Sequence, residues 1–198
     1  VLSRTFVSSK KEFGKVLSKS LNIGIAIGLP ASVSFIILAP TITRFLYGNE
    51  FEPTIAVFQI LGLLPLLLFV NVLLSTTMNG IGKHNTNLAN IIVIAIINIG
   101  VNFVLITNLG FIGAAYATLL SLLIYFILSF RVLLKIVKTI NQEKELGRIV
   151  LANIFLVFLL ILTQGIYFPI VVMGAVLFYL LSLRFLKVDL LKMLYDLQ

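Results

Sequence analysis

No cysteine and no tryptophan occur among the 198 residues, and the one histidine is His84. The first absence rules out disulfides, a thiol nucleophile and thiolate metal sites. The second leaves any interfacial aromatic belt to tyrosines such as Tyr47, Tyr125, Tyr167, Tyr179 and Tyr195. Acidic residues number seven, and all lie outside the long apolar runs. The sequence therefore offers no carboxylate pair at helical spacing for a divalent ion and no histidine cluster for zinc. Nor does it place a carboxylate within a span for coupling to H⁺ or Na⁺. His84 sits in a polar loop beside Lys83, where solvation is the plain reading. Catalytic chemistry is thus nearly absent, and no metal or cofactor is expected.

Apolar side chains are abundant instead, at 60% of the chain. A soluble domain of this size cannot bury so much apolar surface, whereas lipid removes the need to bury it. Six runs qualify as spans: Asn22–Thr43, Ile55–Asn79, Leu88–Thr107, Gly113–Leu134, Ile149–Thr163 and Ile166–Leu183. Crossing a hydrocarbon core of about 30 Å takes about 20 helical residues, and the first four runs are long enough. The last two are shorter. Gln164-Gly165 and Pro169 suggest that they form a tight hairpin.

The net charge of +8 would raise nucleic-acid binding in a soluble protein. Here the cations flank apolar runs in short clusters, which reads as orientation signal and anionic-lipid contact rather than nucleic-acid binding. Fourteen of the 15 Lys and Arg residues fall in alternate flanking segments, and Arg44 is the exception. The bias toward basic cytoplasmic loops predicts an even number of spans with both ends cytoplasmic. Three flanks look amphipathic: Phe13–Lys19, Lys135–Glu145, and the tail carrying Val188, Leu191 and Leu194. Each reads either as a helix lying in the headgroup region or as a spanning helix extended beyond it.

Helix-perturbing residues concentrate in the first two spans. Gly24 and Gly28 at GxxxG spacing permit close helix approach. Pro30 removes a hydrogen bond within the span and is the candidate hinge, although a static packing kink explains it equally simply. In the third span, Asn87, Asn90, Asn98 and Asn102 fall within an arc of about 120°. Amides are costly to expose to hydrocarbon, so this face is expected to look into the bundle. There it either hydrogen-bonds neighbouring helices or lines a substrate path.

These residues resemble a known family. Leu2-Ser3-Arg4 is similar to the end of its Pro-x-Leu-Ser-Arg element, and Tyr47-Gly48-x-x-Phe51 and Gly82-Lys83 resemble two of its loops. The fullest match runs through Asn98-x-x-x-Asn102, Leu105-Ile106, Gly110, Gly113-Ala114-Ala115-x-Ala117-Thr118 and Ser121, with Thr107 where the family commonly has proline. Together they identify the chain as similar to the polysaccharide flippases of the multidrug/oligosaccharidyl-lipid/polysaccharide transporter superfamily.

The resemblance implies an all-α integral membrane protein of six transmembrane helices, forming part of the C-terminal lobe of a two-lobe, MATE-like transporter. It implies a missing N-terminal lobe as partner. Residues 1–135 would form a four-helix membrane region, and 136–198 a cytoplasmic linker, an accessory hairpin and an amphipathic tail. The implied work is moving a polyprenyl-diphosphate-linked oligosaccharide across the cytoplasmic membrane by rocking of the lobes. Asn98, Asn102, Arg44 and Lys83 are the candidate substrate-path residues, although Arg44 and Lys83 also read as topology or headgroup contacts. Rival readings are a drug or cation antiporter on the same scaffold, a membrane glycosyltransferase and a non-transporting membrane scaffold.

Overall fold

A computed structural model describes residues 6, 9–137, 143–163, 167–186 and 188. Helix α1 spans Lys10–Tyr47 and is followed by a short 3₁₀ helix, Asn49–Thr54. Helices α2 (Ile55–Leu61) and α3 (Leu64–Gly80) come next, then α4 (His84–Leu109) and α5 (Phe111–Ile136). A final pair comprises α6 (Glu143–Leu162) and α7 (Phe168–Phe185). Among the described residues, six helical stretches are long and apolar enough to cross a membrane, α2 and α3 together making one of them. The chain is an all-α, multi-span membrane protein.

Helix α1 organises the bundle, touching α2, α3, α6 and α7. Its 38 residues measure about 57 Å at 1.5 Å per residue, far more than a bilayer core of about 30 Å. The Phe13–Lys19 flank is therefore an extension of the spanning helix, the second of the two readings offered by the sequence. Ser9 caps α1 by accepting from the Glu12 amide, which satisfies one of the donors left over in a first helical turn.

Two apolar cores form on different faces of α1. Phe13, Leu17 and Leu21 pack with Val70, Leu74 and Met78 of α3 and Leu133 of α5. Ile23, Ala26 and Leu38 pack with the α6–α7 pair. That pair contributes two stripes at helical spacing, Ile149, Ala152, Leu156 and Leu160 facing Val171, Ala175, Tyr179 and Leu183.

The second span is not one helix. Its break falls at Gly62-Leu63, just before Pro65, which occupies the first turn of α3 where a missing N–H costs nothing. Gly62 also lies so close to Ile36 that a Cβ would stand 2.5 Å from its side chain. Only Gly28 of the GxxxG pair carries a close approach: a Cβ there would stand 2.8 Å from Leu66 Cα, whereas Gly24 has nothing within 4 Å. Four residues on, Ser32 Oγ accepts from the Leu66 amide at 3.0 Å and so caps α3 from across the interface.

Between α4 and α5 the chain turns at Gly110, which has φ of +59°. Gly113 then packs its backbone against the Leu105 carbonyl, leaving no room for a Cβ. The connection at Gln164-Gly165 and the tail residues Leu191 and Leu194 lie outside the described residues, as does most of the linker after Val137.

Candidate functional site

The amides of α4 are spent largely on neighbouring helices. Asn87 is buried, donating to Ser75 Oγ at 2.9 Å and Asn79 Oδ1 at 3.1 Å while accepting from the Tyr125 hydroxyl at 2.6 Å. Asn90 donates to Ser129 Oγ at 3.4 Å. Asn98 donates to Ser121 Oγ at 2.9 Å, and Asn102 donates back to the Asn98 carbonyl and side-chain oxygens at 2.9 and 3.0 Å. The partners on α5 recur every fourth residue, as Ala117, Ser121, Tyr125 and Ser129, all buried. The polar arc thus faces the bundle. Asn98 joins two helices, while Asn102 is half-buried and bonded within its own helix.

Lys83 adjoins the first amide of that seam, its carbonyl accepting from the Asn87 backbone N–H at 2.9 Å, whereas Arg44 takes no part in the seam. Arg44, in the last turn of α1, pairs with Glu52 at 2.8 Å, and both side chains are exposed. An exposed pair of this kind contributes little to stability. Lys83 is exposed and immediately precedes α4. The fold therefore does not gather Asn98, Asn102, Arg44 and Lys83 into one place.

Pro30 has a different setting. Helix α1 continues through it without interruption. Because proline has no N–H, the carbonyl of Ala26, four residues earlier, has no helical donor at that position. Tyr179 of α7 supplies one, its hydroxyl donating to Ala26 O at 2.9 Å. Asn153 of α6 reaches the same hydroxyl at 3.4 Å and also donates to its own helix at Ile149 O. The hairpin is thereby tied to α1 where α1 has an open backbone acceptor.

Asn153 and Tyr179 were not singled out from the sequence. A signal did exist, because Asn153 is the one amide in the apolar run 149–163. A polar side chain in such a run needs a partner, but the sequence does not say where that partner lies.

Beside this contact lies a cavity of about 470 Å³, lined by Pro30, Phe35, Leu38, Leu156, Val176 and Tyr179 among others. Its walls come from α1, α6 and α7 and are almost wholly apolar. The volume falls within the usual range for ligand sites, about 300–1,000 Å³. Such walls suit a hydrocarbon chain: the hydroxyls of Ser34 and Tyr179 are the only polar side-chain groups among the described lining residues, and none of those residues is charged to hold a phosphate.

The sequence profile of the Lipid II flippase MurJ family matches residues 1–185. Among curated proteins, the chain is similar to the probable low-salt glycan biosynthesis flippase Agl15 of Haloferax volcanii, with 23% identity over 140 residues. That alignment covers 71% of this chain and 30% of the relative, so the chain corresponds to under a third of that protein's length. No solved structure matches. With a profile match across all six spans, the chain belongs to the MurJ family of lipid-linked precursor flippases.

Proposed function

We propose that this chain is part of a transporter that flips a polyprenyl-diphosphate-linked oligosaccharide from the cytoplasmic to the outer leaflet of the cytoplasmic membrane, for surface polysaccharide assembly. The family match over residues 1–185 carries this reading. The oligosaccharide class of cargo takes further support from the relative whose name specifies glycan biosynthesis.

Within the transporter, the apolar cavity beside Pro30 suits a stretch of the cargo's polyprenyl chain. The region bearing the diphosphate and sugar would be completed by the rest of the transporter, with Asn102 on the polar face of α4. Pro30 is the point at which α1 bends during alternating access. Both ends of the chain lie on the cytoplasmic side, as the distribution of cations suggests.

The test is to delete the intact gene and probe lipid-linked oligosaccharide with a membrane-impermeant glycan oxidant. The cargo is expected to accumulate in the inner leaflet, protected from the reagent. Unchanged outer-leaflet exposure in the deletion strain would sink the proposal.

A further inference from the structure

The second large cavity, about 640 Å³, opens among the N-terminal turns of α1, the C-terminal end of α5 and the start of α6. It is strongly cationic: Lys10, Lys11, Lys15, Lys19 and Lys135 line it against one carboxylate, Glu145. Lys11, Lys15 and Lys19 recur at every fourth residue, so α1 presents them as one stripe. That arrangement opposes helix stability twice. Like charges at i, i+4 repel, and Lys10 and Lys11 meet the positive end of the helix dipole in the first turn, where Glu12 offsets them in part. Among the described residues, Lys10, Lys11, Lys15 and Lys135 have no carboxylate in ion-pair range.

Glu145 is already engaged, accepting from Asn22 Nδ2 at 3.0 Å. Asn22 is 2% exposed, and its side-chain oxygen has no partner. The cavity thus holds an excess of positive charge around a fixed polar floor. It lies where α1 enters its apolar run, and Ile136 and Val137 give it one apolar wall. That combination suits a phosphate attached to an acyl glycerol better than a free anion.

We propose that this cavity binds the phosphate headgroup of an anionic phospholipid from the leaflet on its own side of the membrane. Basic pockets between transmembrane helices recognise such headgroups by charge, with lysine ammonium groups as the phosphate donors. The bound lipid relieves the repulsion along α1 and bridges α1, α5 and α6. This site is separate from the apolar cavity at Pro30 and does not depend on the identity of the cargo.

Cardiolipin is the probe, added as a minor component to phosphatidylcholine nanodiscs containing the intact protein, with retained lipid measured by native mass spectrometry. Wild type is expected to retain cardiolipin. The combined variant Lys11→Gln/Lys15→Gln/Lys135→Gln is expected to bind on the order of a hundredfold more weakly, about fivefold for each lysine near an anionic surface. Arg184→Gln, a basic change at the exposed end of α7, is expected to match wild type.

Glu145→Gln keeps an oxygen that can accept from Asn22 and removes the one carboxylate that lines the cavity among the described residues, so binding is expected to tighten about fivefold. This variant keeps the site testable even if the triple variant does not fold. Equal retention by wild type and Glu145→Gln, or by wild type and a folded triple variant, overturns the proposal. Full displacement by inorganic diphosphate overturns it by showing a site for soluble anions. Preference for polyprenyl diphosphate over cardiolipin also overturns it, by assigning the cavity to the cargo. No outcome involves transport, so a failure here is distinct from a failure of the proposed function.

Discussion

The Tyr179 hydroxyl donates to the carbonyl oxygen of Ala26 at 2.9 Å, filling the place of the helical donor that Pro30 lacks. Two features that look independent in the sequence, a proline in the first span and a tyrosine in the last, are one arrangement in space. The contact joins the C-terminal hairpin to α1 and borders the apolar cavity. If α1 bends at Pro30, as proposed, that acceptor moves and the docking of the hairpin changes with it.

Tyr179→Phe is expected to destabilise the protein by about 1 kcal/mol, because a carbonyl in an apolar setting loses its donor. In a Pro30→Ala background the alanine N–H can serve Ala26, and the cost of Tyr179→Phe should shrink. A double-mutant cycle by thermal unfolding in detergent measures the coupling. Additive effects would show that the two residues act separately. Pro30→Ala by itself is expected to slow transport, and an unchanged rate at equal protein level removes the hinge role.

Gly28→Ala places a methyl group against the Leu66 backbone and is expected to cost about 1–3 kcal/mol, typical of overpacking. Gly24→Ala meets open space and is expected to be neutral or mildly stabilising, as helix propensity favours alanine. Comparing the two melting temperatures tests whether one glycine of the pair carries the α1–α3 contact.

Asn98→Ala breaks the bond to Ser121 and is expected to lower stability by about 1 kcal/mol. Asn102→Ala loses bonds made only within α4 and is expected to leave stability nearly unchanged. Under the proposed function, Asn102→Ala reduces surface polysaccharide at normal protein abundance. Wild-type polysaccharide from that variant would remove Asn102 from the substrate path.

Residues 1–198 contain no cysteine, so a single cysteine introduced among them reports topology by comparison with the unsubstituted protein. A cysteine replacing Asn108, at the turn between α4 and α5, is expected to react with a membrane-impermeant maleimide in intact cells. One replacing His84 is expected to react only after permeabilisation. The reverse pattern would invert the orientation.

Sequence alone was enough to show the medium, the helical class and the approximate spans, because these follow from local sums of hydropathy and charge. It also showed that the third span carries a polar arc, since helical periodicity places Asn87, Asn90, Asn98 and Asn102 on one face. Recognition of the family was likewise legible in short motifs around the α4–α5 turn. Tertiary structure decided what the polar arc touches, because Ser121, Tyr125 and Ser129 become partners only when α5 packs beside α4. It also decided that the second span breaks at Gly62-Leu63, where contact with Ile36 and the nearby Pro65 combine. The pairing of Tyr179 with Ala26 joins residues 153 positions apart, and no local property encodes that separation. Packing, not periodicity, brings such groups together, since each buried polar atom needs a partner and only the assembled bundle determines which one is near.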